Sequence, residues 1–319
     1  MSFSAILFAL LLEQARPLGP GNPVHAAMRS WVRMARHNFD AGLHPHAWLA
    51  WSVAVLLPTG IALAIHWLLV ATLGWFVAVL WNIAVLYVSL GFRQFSHHFT
   101  GIRDALEAGD DAQARRLLAD WRQIDARELP TSEIVRQVIE HSVLAAHRHV
   151  FGVLAWFSVL AALGLGPAGA VLYRLSEFVP RYWTHQGDAE HHPVSPALLS
   201  ASIRVWQIVD WVPARITAFG FAVVGSFEEA IDAWRTYVER SNGKPSEDGI
   251  ILAATSGAVN VRLGAERPEL QAAAPDVPGQ PVGQEAQLAH LRSILGLVWR
   301  SVVMWMVLLA LLSLARLLG

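Results

Sequence analysis

The residues most suited to chemistry sit in one apolar stretch, Ile203 to Thr217, where Asp210, Pro213 and Arg215 interrupt an otherwise apolar helical run. Ionisable groups in a membrane-like segment are costly and face a protein interior or a polar cavity. Pro213 lacks a backbone N–H and crowds the preceding turn, so a kink near Asp210 is expected. Backbone broken at membrane depth survives only where protein or a cavity surrounds it. The alternative is a short span with Asp210 and Arg215 at its water interface. Their five-residue offset puts them on different helix faces, so a salt bridge between them is not implied. A second group is the stripe Glu133, Arg136, Glu140 and His147, either a solvated face or the polar wall of a site. A third is the segment from Tyr173 to Pro196, read as a polar loop that carries Glu177 and Arg181.

Other chemistries find little support. Cysteine is absent, which excludes disulfides, thiolate catalysis and Cys-ligated metals. Fourteen histidines include the pairs His44/His46, His97/His98, His147/His149 and His191/His192, but none has the i, i+4 spacing with a helper acid that marks zinc sites. No metal site is expected. Walker A, G-x-G-x-x-G and G-x-S-x-G motifs are missing. Asn242 to Gly249 supplies Lys244 (the sole lysine), Ser246 and a helix start near Ile250. That set suits an anion such as phosphate, with a plain Asn-Gly turn as the other reading.

These groups need a scaffold, and composition names it. Charged residues make up 15% of the 319-residue chain and hydrophobic ones 54%, against about 25% charged in soluble domains. The chain reads as an all-α, polytopic membrane protein with four to five spans and soluble or interfacial helical inserts. Net charge is −1, so nucleic acid is not a partner. Fourteen tryptophans suit interfacial belts.

In order, Ser2 to Leu12 forms a short apolar helix, too short to span and without the basic start of a removable signal peptide. A loop rich in Pro and Gly follows, then an amphipathic helix from Val24 to Asn38 carrying Arg29, Arg33 and Arg36, which suits an anionic leaflet. Residues 47–92 contain no Asp, Glu, Lys or Arg and read as two spans turning near Trp67 to Leu73. Arginines on either side place residues 13–46 and 93–149 in the cytoplasm. Residues 93–149 read as a soluble helical insert with a hairpin at Gly109–Asp111, Asp111 as the cap and Thr131 or Ser132 capping the next helix. Next come a span at 150–172, the kinked polar-centred helix at 203–225, amphipathic helices and a flexible loop at 226–294, and a final span at 295–314. The side of the membrane on which 226–294 lies is left open.

The pattern resembles the CobD/CbiB superfamily of polytopic inner-membrane proteins over most of the chain, as one domain spanning 1–319. Asn22-Pro23-Val24-His25 is similar to the family's H-P-V, and Ala105 to Asp110 with Ala114 to Leu117 to its soluble hairpin. Glu140-His141-Ser142-Val143 falls where the synthases of the family carry E-S-V-A-E-N. Asp210-Trp211-Val212-Pro213-Ala214-Arg215 resembles both the synthases' D-x-x-N-(Y/W)-I-P-A-R and the D-W-V-P-V-R of the AmpE branch. Pro245-Ser246 and Ala258 through Gly264 are similar to P-S-P-N-A-G … A-G-A-L-G-V-R-L-G, which brings in Arg262. Departures are Gly21-Asn22-Pro23 for G-D-P, Ala145 to His149 for E-N-x-x-D, and Tyr173 to Trp183 for N-T-L-D-S-M-x-G-Y.

The lost acidic and amide positions tilt the expectation toward an AmpE-like protein of the bacterial inner membrane. It would bind a small molecule or an envelope protein in a polar cavity around Asp210, Arg215, Glu140 and Glu177, without synthase activity or a cofactor. The alternative implied by the resemblance is adenosylcobinamide-phosphate synthase, which joins adenosylcobyric acid to aminopropanol phosphate with ATP. There Lys244, Arg215 and Arg262 would stabilise developing charge, and an acid such as Glu140 would hold magnesium.

Overall fold

The computed structural model describes residues 2–16, 22–40, 42, 44–189, 194–264 and 283–318. Among them the chain is all-α, with a single β-bridge pairing Val261 and Gln284. Four helices are long and apolar enough to cross a membrane: Pro45–Leu73, Thr131–Ala162, Pro196–Val224 and Leu288–Ala315. Two shorter apolar helices accompany them, Phe3–Ala15 and Trp75–Ser89. The contacts divide into two compact units.

The first unit comprises Met1–Arg93, Arg148–Pro213 and Leu309–Gly319. Its helix α1 (Ser2–Ala15) packs on α4 (Trp75–Ser89), and α2 (Pro23–Phe39) packs on α3 (His44–Leu73). Asn22 starts α2 by accepting the Val24 N–H at 2.9 Å, with Pro23 in the first turn where its missing N–H costs nothing. The α3–α4 turn falls at Gly74, whose φ of 85° is open to glycine. Faces of both helices remain apolar and exposed, among them Ile61, Leu68, Trp75 and Phe76, as a lipid-facing surface requires.

Two corrections to the sequence reading arise in this unit. The uncharged run 150–172 is not one span. Helix α7 (Thr131–Ala146) continues through a π-helical turn, His147–Phe151, into α8 (Gly152–Ala162), which then stops. Gly164 and Gly166 take positive φ, and Pro167 opens the next helix. The segment expected as a polar loop, 173–196, is instead mostly helix α9 (Ala168–Ala189). Its charges at 174, 177 and 181 pair with one another along one face, so the helix can bury them. His191 and His192 lie outside the described residues. Close approach of α8 and α9 depends on Gly169, where a Cβ would strike the backbone carbonyl of Trp156, and on Gly152, which leaves space for the Tyr173 ring.

The second unit comprises Gln94–His147 and Ala214–Leu308. It holds α5 (Phe92–Glu107) from Gln94 on, α6 (Asp111–Arg122), α7, the end of α10 (Pro196–Val224), α11 (Phe227–Arg240), α12 (Glu247–Val259) and most of α13 (Leu288–Leu318). The α6 cap is Asp110, not Asp111, and it accepts the Gln113 N–H at 2.9 Å. Asp111 instead accepts a hydrogen bond from Thr131, and Pro130 occupies the cap position of α7 without a side-chain bond. Helices α11 and α12 form the tightest pair of the unit. Gly257 permits it, since a Cβ there would meet the backbone carbonyl of Glu229. The linker expected over 265–285 lies almost wholly outside the described residues.

Candidate functional site

In the first unit Asp210 is buried within α10 and accepts a hydrogen bond from the equally buried Tyr173 hydroxyl at 2.8 Å. The ring of Trp206, one turn earlier on α10, packs against Tyr173 with centroids 5.3 Å apart. No break occurs at Pro213: α10 is continuous from Pro196 to Val224. Proline deprives the Val209 carbonyl of its helical donor, and the Trp156 indole N–H on α8 supplies the replacement at 2.9 Å. A cross-helix bond therefore holds this turn beside Asp210.

One turn along α9 from Tyr173 lies Glu177, also buried. It pairs with Arg174 at 2.5 Å and Arg181 at 3.1 Å, the latter half exposed. Burying a carboxylate without such partners would cost several kcal/mol, on the order of the penalty for a lone ion. Glu177 and Asp210 are thus neighbours through Tyr173, each with hydrogen-bonding or ionic partners.

In the second unit Glu140 links two elements. Its Oε1 accepts from Arg136 at 2.6 Å and from the Gly264 N–H at 2.9 Å, and Arg136 also pairs with Glu133. The stripe expected on α7 is therefore an ion-pair ladder that anchors the segment after α12. Glu140 is engaged by donors rather than held as a bare ligand for a cation. That segment, Val261 to Gly264, is further pinned by Arg262 N–H to Gln284 O at 2.8 Å. The Arg262 Nε is buried and has no hydrogen-bond partner among the described residues. Arg215 reaches Glu247 at the start of α12, 2.6 Å away. His147 Nδ1 lies 2.9 Å from the buried Thr217 hydroxyl. Ser246 is the α12 cap, accepting the Gly249 N–H at 3.1 Å, and Tyr237 braces it from α11. Lys244 is exposed in the preceding turn, where Asn242 and Gly243 both take positive φ.

The four residues expected around one cavity fall two and two: Asp210 and Glu177 in the first unit, Glu140 and Arg215 in the second. Sequence reasoning missed Tyr173 and Glu247 as partners of Asp210 and Arg215, and Trp156 as the donor to the Val209 carbonyl. The signal for Trp156 was in principle available, because a mid-helix proline demands an outside donor for the carbonyl four residues back. Tyr173 and Glu247 are distant in sequence from their partners and left no local trace. No cluster of three or more His, Asp or Glu side chains suited to a metal occurs among the described residues.

Long apolar helices, lipid-facing apolar surfaces and buried ion-paired clusters define a helical membrane protein that associates with the lipid bilayer. The chain belongs to the CobD/Cbib protein family, whose model matches residues 3–298. It is 30% identical to the cobalamin biosynthesis protein CobD of Stutzerimonas stutzeri over 96% of each chain. It is 31% identical to the protein of the same name from Chromobacterium violaceum, over 57% of this chain and 54% of that one. The Leptospira interrogans protein of that name is 26% identical over 60% and 59%. No solved structure matches the chain. These relatives overturn the AmpE-like, non-synthase expectation. That reading weighed a few lost acidic motifs above similarity that runs nearly end to end.

Proposed function

We propose that the protein is an adenosylcobinamide-phosphate synthase: a multi-pass enzyme of the bacterial inner membrane that joins a carboxyl of adenosylcobyric acid to the amine of aminopropanol phosphate. The observation that carries this reading is the 30% identity, over 96% of both chains, with a relative named for cobalamin biosynthesis. A free carboxylate does not condense with an amine unaided, so ATP would phosphorylate or adenylate the carboxyl oxygen, which leaves with that phosphorus group as the amine attacks, and magnesium would offset the nucleotide's charge. Magnesium in such sites is held by one or two carboxylates together with the substrate phosphates. A protein site with few free carboxylates is therefore compatible with it.

The second unit offers the features that anionic substrates require. Arg262 presents a buried, unsatisfied Nε–H, Lys244 an exposed ammonium, and Arg215 a guanidinium fixed by Glu247. Cations held in place before the reaction stabilise charge as it develops on phosphoryl and carbonyl oxygens. Ser246 and Glu140 act as positioning residues in this scheme, the first by capping α12 and the second by tying Gly264 to α7. In the first unit Asp210, braced by Tyr173, and Glu177, held by Arg174 and Arg181, supply polar groups at membrane depth. The corrinoid is the substrate, not a resident cofactor.

The test is complementation of a synthase-deficient bacterial strain grown on cobyric acid. The intact gene should restore cobalamin-dependent growth, and Arg262→Ala should fail to do so at equal membrane abundance. Failure of the intact protein, despite confirmed insertion, would overturn the proposal.

A further inference from the structure

A groove of about 610 Å³ runs between α2, α3, α4 and α9 in the first unit, and of the residues placed in the candidate site only Arg174 lines it. Its volume lies in the range of ligand pockets, roughly 300–1,000 Å³. The lining is apolar, with Met28, Ile65, Val85 and the indoles of Trp31 and Trp81, and it becomes polar where His25 and Arg174 meet. At the rim Val24 is 44% exposed and Ile61 50%, so the groove is open. The two helices that form much of its wall, α3 and α4, carry no Asp, Glu, Lys or Arg and expose apolar faces, so the opening is flanked by apolar surface.

We propose that this groove holds an acyl chain of an anionic phospholipid, with the lipid phosphate received by Arg174 and Arg29 at its polar end. Charge complementarity is the argument for the headgroup. Glu177 pairs with both Arg174 and Arg181, so that trio retains one net positive charge. Arg29 lies one helical turn beyond His25 on α2 and adds a second. Among the described residues, no acidic one lines the groove. Burial, then the charges of Arg174 and Arg29, depress the pKa of His25, which places the two guanidinium groups close to this end of the groove. Arg174 has 11% of its side chain exposed, a fixed and largely desolvated cation rather than a waving surface group. A guanidinium of this kind suits phosphate geometry. The Trp31 indole N–H, buried on the groove wall without a partner among the described residues, is a further donor for lipid oxygens. The apolar wall argues for an acyl chain over a soluble anion, which would gain nothing from it.

The full-length protein, purified in detergent, is mixed with equal amounts of phosphatidylglycerol and phosphatidylcholine of matched chains, and retained lipid is read by native mass spectrometry. Phosphatidylglycerol should be retained about tenfold over phosphatidylcholine, one contact's worth of discrimination. Ala84→Trp and Ala27→Trp, at exposed positions on the groove wall, should each remove most of the retained lipid without lowering thermal stability. Arg29→Gln should bring phosphatidylglycerol down to the phosphatidylcholine level. Equal retention of the two lipids by the intact protein would overturn the proposal. So would retention unchanged in both tryptophan variants, or a dimer that those variants dissociate while lipid content stays constant.

Discussion

Replacing Trp156 with Phe isolates the bond that supports α10 at its proline. The Val209 carbonyl cannot be served within the helix because Pro213 has no N–H, and the Trp156 indole lies 2.9 Å away in its place. Val209 is 9% exposed, so water does not readily replace the lost donor. An orphaned buried acceptor costs about 1–3 kcal/mol, while hydrogen bonds measured inside membrane proteins average about 0.6 and reach about 1.7 kcal/mol. We therefore expect about 1 kcal/mol from the bond, plus a packing loss from the smaller ring. Pro213→Ala separates the two, because alanine returns an N–H to the Val209 carbonyl. In that background Trp156→Phe should cost only the packing part, giving a coupling of about 1 kcal/mol. The assay is reversible unfolding of the four proteins in mixed detergent micelles, followed by circular dichroism. Coupling within the additivity error, about 0.3–0.5 kcal/mol, would refute the reasoning.

Further outcomes follow from the same packing. Gly169→Ala places a methyl group against the Trp156 backbone carbonyl, which cannot swing aside, and should cost about 1–3 kcal/mol, seen as a clear fall in melting temperature. Tyr173→Phe removes a donor to the buried Asp210 and should cost about 1–3 kcal/mol, the range for a buried acceptor that loses its partner; an unchanged melting temperature would show that this bond does not matter. His25 has a folded pKa below its ordinary 6.5, through burial and then Arg174 and Arg29. The unfolded chain therefore binds more protons as pH falls, so the stability contribution is complete above about pH 6.5 and is lost below it. His25→Gln should flatten the stability profile on that acid side, in unfolding measured from pH 7.5 down to pH 5.

Much of this architecture is visible in the sequence because the hydrophobic signal is long-range and simple. The charge-free stretch 47–92 becomes α3 and α4, with the turn at Gly74, just past the expected region. The hairpin turn before α6 is legible, with the cap one position earlier than expected, at Asp110, whereas the Asn22-Pro23 helix start lies in what reads as a loop. Helix α9 was hidden because its charges were read as loop composition. Arg174, Glu177 and Arg181 stand three and four residues apart, a helical spacing, and their mutual pairing lets a helix bury them. Asp210 and Arg215 stand out because charge in an apolar run is costly, and Glu140 through the polar stripe on α7 and the family resemblance. Their partners Tyr173, Glu247 and Gly264 do not, because which distant group answers a buried charge is decided only by how the helices pack. Function was the least legible. Missing acidic motifs spoke for a lost activity, and only similarity along the whole chain outweighed them.

Synthase activity can be read by incubating the purified, detergent-solubilised protein with adenosylcobyric acid, aminopropanol phosphate and Mg-ATP, and following the corrinoid by mass spectrometry. A new corrinoid with the mass of the amide is expected, dependent on ATP and sharply reduced in Arg262→Ala. If folded protein gives no such product under conditions in which the Stutzerimonas stutzeri relative does, the synthase assignment is wrong.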